Sequence, residues 1–161
     1  MAKGGFDGEP LIRLVGRSGS GRSAYAVAQA ERILREQSNR QLLIFDTLGH
    51  GYAEKLGELS LGGRTMFRSE TLAKDVHAIG RHLISSGAVG CVIVDDVPGL
   101  DFGFDQDRTG RSKALASLSH SLGCLALAHN CSVILIERAS EFRTERAPLG
   151  FRDFFVSDLA A

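Results

Sequence analysis

Residues Gly16-Arg17-Ser18-Gly19-Ser20-Gly21-Arg22-Ser23 carry the glycine spacing and the closing hydroxyl of a phosphate-binding loop. In such a loop, successive backbone N–H groups turn toward an anion at the N-terminus of the helix that follows. Gly16, Gly19 and Gly21 permit the tight turn and the close approach of backbone to phosphate. Ser18 and Ser20 fill the positions between them, and Ser23 supplies a hydroxyl for Mg²⁺. The position that holds lysine in the full motif holds Arg22. A guanidinium keeps the charge, but it is planar and bulky and does not reach terminal phosphates as a compact point charge. The pattern reads as a site for ATP or ADP with Mg²⁺ whose binding is weak and whose chemistry is reduced or lost. The alternative is a glycine-rich loop that binds nothing.

A second group of residues completes the constellation. Val92-Ile93-Val94-Asp95 is a buried-type run that delivers a carboxylate to the same Mg²⁺. The alternative for Asp95 is a strand-end carboxylate that caps the next turn. The candidate nucleotide-binding set is therefore Gly16, Ser18, Gly19, Ser20, Gly21, Arg22, Ser23 and Asp95, with Ser23 and Asp95 as the metal ligands. No catalytic residue is assigned.

These groups need strands to deliver them and helices to anchor them. Leu11–Val15 is a short apolar strand before the loop, and Ala24 to about Glu36 has helical spacing after it. Leu42–Asp46 and Cys91–Asp96 read as buried strands, Val133–Ile136 as another, and Thr65–Phe67 as a weak one. A short helical piece is expected around Tyr52–Leu56. Glu70–Ser85 has helical periodicity through Leu72, Val76, Ile79 and Leu83, with Gly87 just beyond its end. Asp101–Thr109 reads as a polar loop, Ser112–His129 as a helix, Glu137–Pro148 as a charged loop, and Phe154–Val156 as the start of a last strand. Alternating strands and helices predict a mostly parallel sheet with ligands at the carboxyl ends of its strands.

Composition narrows the classes of function. Nineteen Lys and Arg balance nineteen Asp and Glu. No overall basic field favours nucleic acid, which leaves room only for a local patch. Cys91, Cys124 and Cys131 lie in apolar runs without a CxxC pair, as expected of buried thiols in a reducing compartment. No apolar stretch is long enough to span a bilayer, so no membrane partner and a cytoplasmic location are expected. Residues 1–10 are glycine-rich and are expected to be flexible, with one domain over 11–161. His50, His77, His82, His120 and His129 are scattered. His77 and His82 read as helix-surface residues.

Three segments carry a family resemblance. Ser85-Ser86-Gly87-Ala88-Val89-Gly90-Cys91-Val92-Ile93-Val94-Asp95-Asp96-Val97 resembles the Walker B region of bacterial RecA recombinases, where a Ser-Gly-Ala-Val turn precedes a valine-rich strand and an aspartate. Tyr52-Ala53-Glu54-Lys55-Leu56-Gly57 is similar to the segment after that family's second core strand. Ala128–Ile136 resembles its next helix end and strand. The resemblance runs from about Ile12 to Leu159. It implies an α/β fold, a RecA-like P-loop NTPase core with a mostly parallel β-sheet flanked by helices.

The resemblance also marks departures. The family places a water-activating glutamate where Leu48 stands, and leucine cannot act as a base or orient water. The Asn-Gln pair that ends the family's next strand is Glu137-Arg138 here. With Arg22, three positions of the hydrolytic machinery differ, so little or no hydrolysis is expected. The family's oligomerising segment and its later strands have no counterpart in 1–161, so a self-assembled filament is not expected.

Loops 101–111 and 138–148 correspond to the family's DNA-contacting loops. Each mixes charges: Asp101, Asp105 and Asp107 beside Arg108 and Arg111, then Arg138, Arg143 and Arg146 beside Glu141 and Glu145. The plainer reading of both is a solvated charged loop. Phe102 and Phe104 could stack on bases. Phe102, Phe104, Phe142, Phe151 and Phe154 are candidate protein contacts, since aromatic residues favour interfaces. The reading as a whole is a catalytically degenerate RecA-like protein that binds another protein in a regulatory or structural role, by analogy in DNA recombination or repair. The alternatives are a slow ATP-dependent switch and a DNA-binding accessory.

Overall fold

The apolar runs become strands buried on both faces, as a parallel sheet covered by helices on each side requires. A computed structural model of the chain describes residues 10–16, 21–49, 62–103, 107–138 and 152–155. Its strands are β1 (Leu11–Gly16), β2 (Gln41–Asp46), β3 (Thr65–Arg68), β4 (Val89–Asp95), β5 (Ser132–Arg138) and β6 (Arg152–Phe155). They form one sheet in the order β3-β2-β4-β5-β1-β6, and every described pairing is parallel. The helices are α1 (Arg22–Arg35), α2 (Ala73–Ser85) and α3 (Arg108–Ala128). The expected α/β class with helices flanking a parallel sheet is observed.

Strand alternation divides the core in two. Ile12, Leu14, Leu42, Ile44, Cys91, Ile93, Ile134 and Ile136 pack against Ala26, Val27, Ala30 and Leu34 of α1. Leu11, Leu43, Phe45, Val92, Val94, Val133 and Leu135 pack on the other face against Val76 and Ile84 of α2 and Leu118, Leu122 and Ala126 of α3. The connection from β1 to β2 runs one way across the sheet, and those from β3 to β4 and from β4 to β5 run back. Right-handed crossovers then place α1 on one face and α2 and α3 on the other. The backbone leaves β1 and β4 toward opposite faces, and β5 lies between them.

Several boundaries differ from the sequence reading. α2 begins at Ala73, because Thr71 and Leu72 run extended beside Asp101: Asp101 N–H donates to Thr71 O at 2.7 Å and Ala73 N–H to Asp101 O at 2.8 Å. Leu72 is therefore exposed and does not join the buried face of the helix. α3 starts at Arg108, four residues before the expected Ser112, because the Asp107 carboxylate caps it by accepting from Gly110 N–H at 2.7 Å. β5 continues through Glu137 and Arg138, two residues that read as loop. Of the three thiols, Cys91 and Cys131 are buried as expected, but Cys124 is exposed on the outer side of α3. The helical piece expected near Tyr52–Leu56 lies outside the described residues.

Two arginines fasten the N-terminal edge of the sheet to the helix ends. Arg64 donates to the carbonyls of Leu34 in the last turn of α1 and of Gln37 and Arg40 beyond it. Arg40 donates to His129 O at 3.0 Å and Asn130 O at 2.9 Å, after α3. Both place a cation beside carbonyls at a helix C-terminus, where the helix dipole is negative. Among the described residues, no helix is long and apolar enough to cross a membrane.

Candidate functional site

The described members of the predicted set, Gly16, Gly21, Arg22, Ser23 and Asp95, lie at the C-terminal edge of the sheet, between the exits of β1 and β4. Gly16 is the last residue of β1 and pairs in register with Arg138. Ser18, Gly19 and Ser20 lie outside the described residues. Gly21 is the N-cap of α1 at φ 86, a left-handed conformation that disfavours a side chain. Helix α1 therefore starts at Arg22, and the next two side chains are set by its first turn.

Ser23 and Asp95 meet across this edge. The Ser23 hydroxyl donates to Asp95 Oδ2 at 2.5 Å, joining the start of α1 to the end of β4. Asp95 is only 2 % exposed, because its strand is central and it stands at the rim of the core. Asp46 of β2 is its register partner. A hydroxyl and a carboxylate are hard oxygen ligands of the kind Mg²⁺ takes, and Mg²⁺ completes its shell with phosphate oxygens and water. Among the described residues no group of three or more His, Cys, Asp or Glu could hold a metal ion by itself. Two such ligands would leave the rest of that shell to phosphate oxygens and water.

Arg22 does something else. It is buried, and its Nη1 donates to the backbone carbonyl of Glu137 at 2.5 Å. The cation that the loop motif would direct at phosphate is engaged by the end of β5. Glu137 is held in turn by its carboxylate, which accepts from Arg13 Nε in an ion pair whose side chains are 6 % and 5 % exposed. In the parallel register Val15 faces Glu137, so Arg13 is its diagonal neighbour one side-chain repeat earlier on the same face. Arg13, Glu137 and Arg22 thus tie β1, β5 and the start of α1 together.

Beside them a polar knot locks β2 to β4. Thr47 N–H donates to Asp95 O at 2.9 Å, the Thr47 hydroxyl donates to Asp96 O at 2.7 Å, and the same oxygen accepts from Asp96 N–H at 2.8 Å. Asp96 Oδ1 accepts from Gly99 N–H at 3.1 Å and caps the 3-10 turn Val97–Gly99. The capping alternative weighed for Asp95 is thus carried by its neighbour. Leu48 follows Thr47 and is 48 % exposed.

The predicted DNA-contacting loops fare differently. Arg111 donates to the carbonyls of Leu100 at 3.0 Å and of Val97 and Pro98 at 3.3 Å each. Its guanidinium lies 5.0 Å from the centroid of the Phe102 ring, and Phe102 packs half-buried against the core. Both side chains hold the 97–102 segment onto α3. Asp101 and Asp107 are turn and helix caps. Phe104, Asp105, Phe142, Arg143, Arg146 and Phe151 lie outside the described residues, and only the backbone of Arg108, Arg138 and Phe154 is described.

Arg13 was missed from sequence, although a lone cation inside Leu11-Ile12-Arg13-Leu14-Val15 announces a buried charge that needs a partner. The structure also brings together His77 and Ser121, with Nε2 and Oγ 2.7 Å apart across α2 and α3, a contact that no spacing announces. No protein-family model matches this chain, and no curated protein is similar enough to match it.

Proposed function

We propose that this protein is a catalytically degenerate domain of the RecA-like P-loop class. It binds Mg–nucleotide weakly, does not hydrolyse it at a useful rate, and acts as a regulatory or structural partner of another protein. The Ser23–Asp95 hydrogen bond carries this reading, because it joins the hydroxyl of the loop motif to the acid of the strand motif across 72 residues of chain. The loop amides and Ser23 would hold phosphate, and Asp95 would face the metal. Three features argue against turnover. Arg22 is engaged by Glu137 O, Glu137 by Arg13, and the position after Thr47 carries the apolar Leu48. Phosphoryl transfer rests on positioning and charge stabilisation, so their loss removes rate before it removes binding. A setting in recombination or repair rests on the resemblance of the Walker B segment.

Calorimetry with MgADP and MgATP tests the reading. Weak binding by the native chain is expected to strengthen in Arg22→Lys, whose compact ammonium restores a point charge for phosphate. Steady-state ATPase activity is expected to stay at background. Turnover on the order of 10 per second that vanishes in Asp95→Ala would overturn the degenerate reading. If neither nucleotide binds and Arg22→Lys changes nothing, the loop is a relic and nucleotide has no part in the function.

A further inference from the structure

The outer face of α2 lines a groove of about 620 Å³ formed by His77, Ala78, Arg81, His82, Ser85 and Ser86. These residues recur at the spacing of one helix face, and Arg81, His82, Ser85 and Ser86 are exposed. Lys74, one turn before Ala78, extends the same face and is exposed as well. Among the described residues that line it there is no carboxylate. The neighbouring helix α3, Arg108–Ala128, contains none along its length, and α2 itself has only Asp75 in its first turn. Within a chain of zero net charge, the described residues of this face set two cations, Lys74 and Arg81, against one carboxylate, Asp75.

One side chain is pre-set. His77 is held against Ser121 of α3 by the 2.7 Å contact, which fixes its ring at the groove wall. Ser86 is committed to the helix end, where its hydroxyl donates to Leu83 O at 3.0 Å. That leaves Arg81 at the centre, with His82 beside it, Ser85 one turn after it and Lys74 two turns before it.

We propose that this groove docks an acidic segment of a partner protein, with Arg81 as the carboxylate-binding centre. The inference rests on the reading of the chain as a protein-binding partner and names the chemistry of what it binds. An arginine fork takes a carboxylate in two parallel hydrogen bonds, and flanking donors suit a second acid one turn along. Nucleic acid is the weaker match. Its affinity grows with the number of phosphates neutralised, and this face offers only two permanent cations, Lys74 and Arg81, with Asp75 close by.

The test uses the full chain and a fluorescein-labelled ten-residue polyglutamate peptide, followed by anisotropy at low and at physiological salt. Saturable binding is expected, weakened at least tenfold in Arg81→Glu. Arg35→Glu, an exposed change on α1 at the opposite face, is expected to leave it unchanged. Arg81 is exposed, and a thermal melt of each variant checks that the fold is kept. No saturable binding, or equal loss in both variants, overturns the proposal. A single-stranded oligonucleotide that binds more tightly than the peptide and is lost in Arg81→Glu overturns it in favour of a nucleic-acid surface. Nucleotide calorimetry reports on the other side of the molecule, so failure of the groove and failure of the nucleotide reading are separable.

Discussion

Replacing Glu137 by leucine leaves the Arg13 guanidinium in the core without the carboxylate that accepts from it. Both side chains are about 95 % buried, so neither regains water unless the sheet opens. Breaking a buried pair from one side costs about 3–5 kcal/mol, because the remaining charge keeps its desolvation penalty. Urea unfolding with a slope of about 2 kcal/mol/M then moves the midpoint down by about 1.5–2.5 M. Total stability is about 5–15 kcal/mol, so the loss is a large share of it. Arg13→Met is expected to cost a similar amount. The double variant Arg13→Met/Glu137→Leu removes both charges and is expected to recover most of the loss, since well-packed apolar replacements of buried ion pairs are often neutral or stabilising. The Arg22 contact survives in all three, because it uses the backbone carbonyl of residue 137. Arg68–Glu70 is the internal control. It lies at the surface, with side chains 46 % and 23 % exposed, and Glu70→Ala is expected to cost about 0–1 kcal/mol. Single variants at 13 and 137 that behave like Glu70→Ala, or a double variant that costs the sum of the singles, would refute the argument.

Two further outcomes follow from contacts in the core and at the sheet edge. Gly99→Ala would bring a Cβ inside van der Waals contact of Thr47 Oγ1 and within 2.9 Å of Thr47 Cβ, so it should destabilise by about 1–3 kcal/mol in urea unfolding; a neutral result would mean that the Thr47–Asp96 knot yields freely. Alkylation of the native protein at pH 8 should label Cys124 and spare Cys91 and Cys131, whose thiols burial pushes upward, Cys131 from 9.0 to about 12 against the opposing pull of Arg40. Because the folded state holds the neutral thiol, this contribution to stability is present below pH 9.0 and is lost as pH rises toward about 12. Equal labelling of all three thiols would contradict the burial.

The parts of the candidate site could be read along the chain, because they are local. The loop glycines need no neighbour to be recognised, and the apolar run before Asp95 predicts a buried strand by composition. Helix α1 was legible from its periodicity, and the leucines Leu115, Leu118, Leu122 and Leu125 of α3 all meet the core as their spacing implies. The boundaries that failed were those set by partners distant in sequence. Residues 70–72 have helical spacing but stay outside the helix, with Leu72 extended, because Thr71 and Ala73 bond to Asp101. Glu137 and Arg138 look like loop by charge but continue β5, because Val15 and Gly16 of β1 stand opposite them and Arg13 neutralises Glu137.

The sequence by itself determined which residue types are present: a hydroxyl at Ser23, a strand-end acid at Asp95, an arginine at position 22, and a leucine after Thr47. What those groups do to one another was decided by the sheet. The strand order brings Ser23 to Asp95 and Arg22 to the end of β5, over separations of 72 and 115 residues that no local pattern encodes. It also turned Arg111 and Phe102 from candidate nucleic-acid contacts into a brace on the fold. The physical reason is common to all of these. Periodicity records which face of an element avoids water, whereas a hydrogen bond between elements depends on their register and crossing, which exist only after the core has closed.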